Sequence, residues 1–209
     1  MNLAAALARG CEDLGLRVPD PAQRKLLAYI ELIAKWNRVY NLTSVRETAR
    51  MVGSHLLDSL AVVPQLDEAK NVVDVGSGAG LPGIPLALMW PHAQVILLDS
   101  NHKKAAFLRQ AAIELDLKNA NVVCERVETW QAPHRFDLVI SRAFSDLGEF
   151  ATLAGRLCDA AGTLAAMKGV YPHEELAQLP RGIALRRVAQ LEVPGLRAQR
   201  HLVLLERTP

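Results

Sequence analysis

Hydrophobic residues recur at the helical period in the first part of the chain. The positions that form this apolar stripe are Leu26, Leu27, Ile30, Ile33 and Ala34. Upstream of them, the pattern predicts Asp20 as an N-cap, Pro21 as the first helical residue and Gln23 as the partner in a capping box. A second helix is expected over residues 54–63. We therefore expect residues 1–70 to form a helical extension.

From residue 71 onward, short β-branched runs alternate with helical stretches. Strands are predicted over residues 72–75, 94–98, 121–124, 136–141 and 163–167, the last one after a turn at Gly162, and helices over 101–117 and 147–157. Two final strands, 183–193 and 201–206, are joined at Pro194-Gly195, and this connection is too short for a parallel crossover. The sequence predicts an α/β domain over residues 71–209, with a mostly parallel seven-stranded sheet that ends in an antiparallel hairpin.

Composition narrows the class of protein. Of 209 residues, 50% are hydrophobic and 22% are charged, which is typical of a folded domain. The 24 basic and 22 acidic residues exclude a strongly basic histone-like binder but allow a local basic face. The three cysteines lie far apart without a Cys-x-x-Cys, which argues against a disulfide scaffold or a zinc ribbon. With no long apolar run and no convincing signal peptide, we expect a cytoplasmic protein without a metal or a membrane partner.

A glycine-rich loop carries the clearest chemical signal. The segment 74–83 reads Asp-Val-Gly-Ser-Gly-Ala-Gly-Leu-Pro-Gly, and it lies between a predicted strand and a helix. Glycines allow a ligand to approach the backbone and its N–H groups closely. Asp99 ends the next strand, 19 residues after Gly80, where its carboxylate can accept hydrogen bonds from ribose hydroxyls. Together these features favour a nucleotide-like ligand over a plain strand-to-helix turn.

The loop also discriminates between ligands. Gly78 and Gly83 have the spacing of a phosphate-binding Walker loop, but Ile84-Pro85 follows where lysine and serine or threonine are needed. Asp74, two residues before Gly76, repels a pyrophosphate and attracts an amine. S-adenosylmethionine (SAM) has an ammonium, a sulfonium and a ribose but no phosphate. The glycines alone do not decide between SAM and a nicotinamide dinucleotide, but Asp74 and Asp99 together favour SAM.

The loop resembles motif I of class I SAM-dependent methyltransferases, and in particular that of the RsmG (GidB) family of bacterial 16S rRNA guanine-N7 methyltransferases. Other segments are similar to that family in the expected order. These are residues 36–44 (WNRVYNLTS), 55–60 (HLLDSL), 140–144 (ISRAF), 167–169 (MKG) and 200–203 (RHLV). The resemblance spans roughly residues 24–207. It implies a Rossmann-like domain with a helical extension, and SAM-dependent methylation of a guanine of the 527 type in 16S rRNA.

The resemblance also assigns cofactor-binding residues. Carried over by position, they are Gly76, Leu81, Asp99, Ser100, Asn101, Val127, Glu128 and Arg142, and the loop argument adds Asp74, Ser77, Gly78 and Gly80. The implied partner is 16S rRNA in the small ribosomal subunit or its precursor, and we expect a monomer. A nicotinamide oxidoreductase and a non-catalytic relative that only binds nucleotide or RNA remain as alternatives.

The expected chemistry needs few catalytic groups. Guanine N7 carries a lone pair and no proton, so its attack on a methyl group needs no general base. Arg142 and Lys168 follow the fourth and fifth strands, and we expect them to orient the reactants through O6, a phosphate or the SAM carboxylate. Catalysis is then proximity and in-line orientation.

Several single residues have two possible roles. Phe144 can stack on a flipped base or pack in the core, and Asn41 can bind the base or cap a turn. His55 and Asp58, one helical turn apart, favour a structural hydrogen bond over catalysis. Basic side chains that can be solvated or can contact phosphate are Lys103, Lys104, Arg109, Arg186, Arg187, Arg197 and Arg200.

Overall fold

Seven strands form one sheet in this computed structural model, which describes residues 2–144 and 146–208. The strands are β1 (Asn71–Val75), β2 (Gln94–Leu98), β3 (Ala120–Val123), β4 (Phe136–Ser141), β5 (Cys158–Lys168), β6 (Ile183–Gln190) and β7 (His201–Arg207). Their order is β3-β2-β1-β4-β5-β7-β6. Strands β1 to β5 pair in parallel, whereas β7 is antiparallel to both β5 and β6. The predicted mostly parallel sheet with a C-terminal antiparallel hairpin is confirmed.

Helices precede the sheet and connect its strands. They are α1 (Leu3–Asp13), α2 (Asp20–Tyr40), α3 (Thr48–Met51), α4 (Asp58–Leu60), α5 (Gly83–Met89), α6 (His102–Glu114), α7 (Leu147–Ala154) and α8 (His173–Leu176). A π-helix, Val52–Leu57, joins α3 to α4 in one continuous helical run over residues 48–60. This run begins six residues before the predicted second helix and ends three residues before its predicted end at residue 63. Short 3-10 turns follow at Val63–Gln65 and Gly155–Leu157.

The predicted start of α2 is wrong by one residue. Asp20 is already helical, and Pro19 occupies the N-cap position in an extended conformation. The reason is that the Pro19 carbonyl accepts a hydrogen bond from the Gln23 N–H and so closes the first turn early. The Gln23 side chain donates to the Val18 carbonyl instead of forming a capping box.

Two strand boundaries also differ from the prediction. Strand β5 begins at Cys158 and runs through Gly162, where a Cβ would lie 2.8 Å from the Phe136 carbonyl oxygen of β4. Glycine there permits close approach of two strands, so the expected turn is absent from that segment. Strand β6 ends at Gln190, not at residue 193, and residues 191–200 form a longer connection than the Pro194-Gly195 pair.

Alternate residues of the strands enter two hydrophobic clusters, one on each face of the sheet. Val72 belongs to the first cluster and its neighbour Val73 to the second. The first cluster also contains side chains of α1, α2, the π-helix, α5 and α6, while the second contains those of α7. The helical extension and one face of the sheet therefore share a single core.

Tyr29 of α2 links the extension to the glycine loop. Its side chain is fully buried, and its hydroxyl donates a hydrogen bond to the Ala79 carbonyl. This contact fixes the distance between α2 and the segment that follows β1.

We predict that Tyr29→Phe destabilises the fold. The substitution leaves the buried Ala79 carbonyl without its donor, at a cost of about 1–3 kcal/mol. For a chain of this size, each kcal/mol lowers Tm by roughly 2–4 °C. Calorimetry should show one cooperative transition at a lower temperature. Tyr40→Phe is the control because Tyr40 is exposed, and equal Tm values for the two variants contradict the prediction.

Candidate functional site

The carboxyl ends of β1 to β4 border an open cavity of about 290 Å³. Five of the residues predicted to bind a cofactor lie in its wall, namely Gly76, Asp99, Ser100, Val127 and Glu128. A larger groove, of about 710 Å³, lies between α1, the π-helix and the 191–200 connection. None of the predicted site residues lines that groove, so the cavity at the strand ends is the candidate site.

Gly76 turns the chain from β1 toward β2. Its φ of +71° is left-handed, and a Cβ on it would lie 2.6 Å from the Ala143 Cβ. The N–H groups of Gly76 and Ser77 both donate to the Leu98 carbonyl at the end of β2. Only glycine satisfies both the dihedral and the contact, so a larger residue here would push the loop away from β4.

Asp99 braces the loop from the end of β2. It is 6% exposed, and its Oδ2 accepts a hydrogen bond of 2.8 Å from the Gly78 N–H while its Oδ1 accepts one of 2.8 Å from the Asn101 N–H. Each carboxylate oxygen has a second lone pair, so the group can still accept from a ribose. Asn101 caps α6 by accepting from the N–H groups of Lys103 and Lys104.

Asp74 lies beneath the loop and not in the cavity wall. Its side chain is fully buried, and its Oδ2 accepts a hydrogen bond of 2.9 Å from the Gly83 N–H. Its Oδ1 has no hydrogen-bond partner among residues 2–144 and 146–208. Burial raises the pKa of this carboxyl from its ordinary value of 3.8 to about 7. The other loop positions predicted to bind cofactor, Ser77, Gly78, Gly80 and Leu81, do not line the cavity either.

The cavity wall is anionic. Four carboxylates, those of Asp99, Glu125, Glu128 and Glu149, face only two basic side chains, Lys104 and Arg126. A surface with this excess of negative charge repels a pyrophosphate and attracts a cation. The rest of the wall includes apolar side chains from the strand ends and α7, which suit a flat aromatic base. The wall therefore fits SAM, a phosphate-free cationic nucleoside, better than a dinucleotide.

A second group of charges lies at the same sheet edge, outside the cavity wall. Arg142, just after β4, places Nη1 3.1 Å from Oδ2 of Asp58. Arg200, just before β7, places Nε 2.8 Å from Oδ1 of the same carboxylate. At the end of β5, Lys168 forms a 2.8 Å ion pair with Glu175. The two residues predicted to orient the reactants are thus each held by a carboxylate.

The residues with two possible roles have defined surroundings. His55 is buried, its Nε2 lies 3.0 Å from the Thr43 hydroxyl, and burial lowers its pKa. Asn41 ends α2 with a left-handed φ of +48°, and its side-chain oxygen accepts from Arg46. Phe144 lines the cavity, and its ring centroid lies 5.4 Å from that of Phe150. The predicted hydrogen bond between His55 and Asp58 is not formed, because the carboxylate of Asp58 pairs with two arginines instead. The contacts of His55 and Asn41 favour local structural roles, whereas Phe144 both packs and faces the cavity.

Sequence reasoning missed part of the site. Glu125 and Arg126 follow the end of β3 after one intervening residue, Cys124, and the strand-end rule that selected Asp99 would have selected them too. Glu149 comes from α7, which is placed by tertiary packing. Across the described ranges, no cluster of three histidine, cysteine, aspartate or glutamate side chains is arranged for a metal ion. Among the helices in those ranges, none is long and apolar enough to cross a membrane.

We predict that Asp74→Asn changes how stability depends on pH. The folded pKa of about 7 lies above the ordinary 3.8, so the folded state binds this proton more tightly. The protonated Asp74 contributes its full share to the free energy of unfolding below about pH 4, and this contribution is lost as the pH rises to 7. Urea unfolding should therefore show that the free energy of unfolding of the Asn variant rises relative to that of the wild type between pH 5 and pH 8. A difference that stays constant over this interval contradicts the prediction.

Comparison with known proteins agrees with this geometry. The family model described as GidB, rRNA small subunit methyltransferase G, matches residues 22–203. Ribosomal RNA small subunit methyltransferase G of Laribacter hongkongensis (strain HLHK9) is 55% identical over 205 residues, or 98% of this chain and 99% of that protein. The protein of the same name from Nitrosospira multiformis is 55% identical over 214 residues, with 99% of each chain covered.

Solved structures show the same fold. The O-methyltransferase TomG from Streptomyces achromogenes, in complex with SAM, has a TM-score of 0.63 at 17% identity, with 100% of both chains covered. At this identity the likeness concerns the fold alone. The family match runs from α2 to β7 and includes the glycine loop, Asp99 and Arg142. The chain therefore belongs to the GidB family, the family of rRNA small subunit methyltransferase G.

Proposed function

We propose that this chain uses SAM to methylate N7 of a specific guanine in 16S ribosomal RNA. The observation that carries the proposal is the anionic cavity behind the glycine loop, at the strand ends of a chain that belongs to the GidB family. The cavity wall favours a cationic, phosphate-free nucleoside. Family membership supports ribosomal RNA of the small subunit as the methyl acceptor.

The cofactor-binding residues divide by the part of SAM that they suit. Asp99, Ser100 and Asn101 are proposed to hold the ribose, and Val127 and Glu128 the adenine. The loop residues Gly76, Ser77, Gly78, Gly80 and Leu81 are proposed to border the methionine part, with Asp74 beneath them. When bound, SAM supplies an electrophilic methyl group.

The protein's own contribution to the reaction is orientation. The N7 lone pair attacks without loss of a proton, so no side chain has to act as a general base. Positive charge passes to the purine ring during transfer, and a cation against N7 would oppose that change. Arg142 and Lys168 are therefore proposed to hold O6, a phosphate or the cofactor carboxylate, which fixes the approach of N7 to the methyl group.

The proposed partner is 16S rRNA within the small ribosomal subunit or its precursor, in the cytoplasm. Since one chain supplies all of the proposed site residues, the enzyme is proposed to act as a monomer. No metal ion takes part in this scheme, because neither the cofactor chemistry nor the acceptor nitrogen requires one.

We predict that Asp99→Ala weakens SAM binding by roughly tenfold or more, since it removes charge-assisted acceptors for the ribose. Asp137→Ala is a matched control. The Asp137 carboxylate also accepts two backbone N–H groups, those of Lys70 and Asn71, but at the opposite edge of the sheet. Equilibrium dialysis with labelled SAM should give a lower affinity for Asp99→Ala than for Asp137→Ala. Equal affinities contradict the assignment of Asp99 to the cofactor.

We predict that cells without this protein lack N7-methylguanosine at one position of 16S rRNA. Mass-spectrometric mapping of small-subunit RNA from deleted and complemented cells measures this directly. Complementation with Arg142→Ala should restore little of the modification because orientation of the reactants is impaired. Unchanged RNA in the deleted cells contradicts the proposed function, and full restoration by the variant contradicts the role of Arg142.

A further inference from the structure

One buried carboxylate joins two arginines from distant parts of the chain. Asp58 is 1% exposed, and its two oxygens each pair with a different guanidinium, Oδ2 with Arg142 and Oδ1 with Arg200. Asp58 comes from the extension, Arg142 from the end of β4 and Arg200 from the residue before β7. These two ion pairs therefore join three segments of the chain at the ligand edge of the sheet.

A π-helix places Asp58 at this position. The Asp58 N–H donates to the Gly53 carbonyl five residues earlier, which ends the wide turn Val52–Leu57. A π-turn holds more residues than an α-turn, so it changes the face on which the following side chains fall, and such turns occur frequently at functional sites. Here Asp58 lies on the buried face, between the extension and the sheet.

The charges of this group do not cancel. One carboxylate faces two guanidinium groups, which leaves one net positive charge. The arginine side chains keep 31% and 25% of their surface exposed, for Arg142 and Arg200 respectively. Each guanidinium has five N–H donors in a fixed fork, and Asp58 engages one nitrogen of each. Arg200 also donates through Nη1 to the Gln199 carbonyl, which leaves its Nη2 to face an external anion.

The position of Arg200 indicates which anion. The cavity extends over the ends of β1 to β4, whereas Arg200 adjoins β7, two strands beyond β4. Two strand spacings are about 10 Å. Register places His201, the next residue, opposite Lys168. Arg200 therefore borders the half of the edge that the cofactor cavity leaves open, which is the side available to the proposed RNA substrate.

We propose that Arg200 binds a phosphate of the RNA beside the target guanine and that Asp58 is the positioning residue that holds Arg200 and Arg142 in place. The inference rests on the proposed function and extends it to the acceptor side of the site. Arg200 contacts the substrate, and Asp58 acts only through the two arginines.

The test compares Arg200→Ala and Asp58→Asn with wild type in RNA binding and in methyl transfer, using a small-subunit RNA fragment and labelled SAM. Arg200→Ala should raise the KM for RNA by roughly tenfold or more while SAM affinity stays unchanged. Loss of one phosphate contact should also reduce the slope of log K for RNA against log salt by about 0.7–0.9. Asp58→Asn should change both quantities in the same direction.

Arg186→Ala is the matched control. Arg186 lies within β6, and its guanidinium is near exposed Asp67, at the edge away from the cavity. It should leave the KM for RNA and the salt slope unchanged. Should Asp58→Asn fail to fold, Arg200→Ala and Arg200→Lys still decide the question, since the lysine variant keeps the charge and should retain most of the salt slope.

The outcomes separate this inference from the proposed function. A wild-type salt slope and KM in folded Arg200→Ala overturn the phosphate contact, even if the protein methylates RNA normally. A tenfold loss of SAM affinity in Arg200→Ala with unchanged RNA binding overturns it as well, because Arg200 would then serve the cofactor. Absence of methyl transfer by the wild type, in contrast, contradicts the proposed function itself.

Discussion

Two buried carboxylates at neighbouring strand ends hold the loop on which the site depends. Asp99 accepts the Gly78 N–H, and Asp74 accepts the Gly83 N–H at the start of α5. Buried carboxylates are costly unless donors compensate them. Backbone N–H groups donate to both oxygens of Asp99, whereas Oδ1 of Asp74 has no partner among the described residues and burial raises the pKa of that carboxyl to about 7. Because each acid grips a different part of the loop, its backbone is fixed over the ends of β1 and β2. That position defines one wall of the cavity.

The same sheet edge carries two opposite electrostatic surfaces. The cavity wall is anionic, through Asp99 and the glutamates near β3 and α7. Beyond β4, the excess charge is positive because Asp58 holds two arginines. A cationic cofactor and an anionic nucleic acid can therefore bind side by side without competing for one surface. The extension matters for this division, since it supplies Asp58 and shares its core with the sheet.

Local signals in the sequence were sufficient for most of the fold. Strands alternate with helices, and the glycine loop lies between β1 and α5 as expected, because β-branched runs and glycine clusters act over a few residues. The predicted start of α2 was wrong because a hydrogen bond from the Gln23 N–H to the Pro19 carbonyl closes the first turn early. The predicted end of β6 was wrong because residues 191–200 pack against the helical extension. That contact joins residues far apart in the chain.

The part of the site that lies at the strand ends could be predicted from the sequence. Gly76, Asp99 and Val127 line the cavity, as expected for residues at the carboxyl edge of a parallel sheet. The ion pair of Asp58 with Arg200 joins residues separated by 142 positions, and no local sequence pattern predicts it. Asp74 was expected to meet a cofactor amine, but its carboxyl is buried beneath the loop and outside the cavity wall, where it accepts a hydrogen bond from the Gly83 N–H.

Calorimetric titration of the purified protein with SAM and, separately, with NAD tests the central claim most directly. The anionic wall behind the glycine loop predicts heat of binding for one equivalent of SAM and no binding of NAD at the same concentrations. Binding of NAD with SAM left unbound contradicts this account of the cavity.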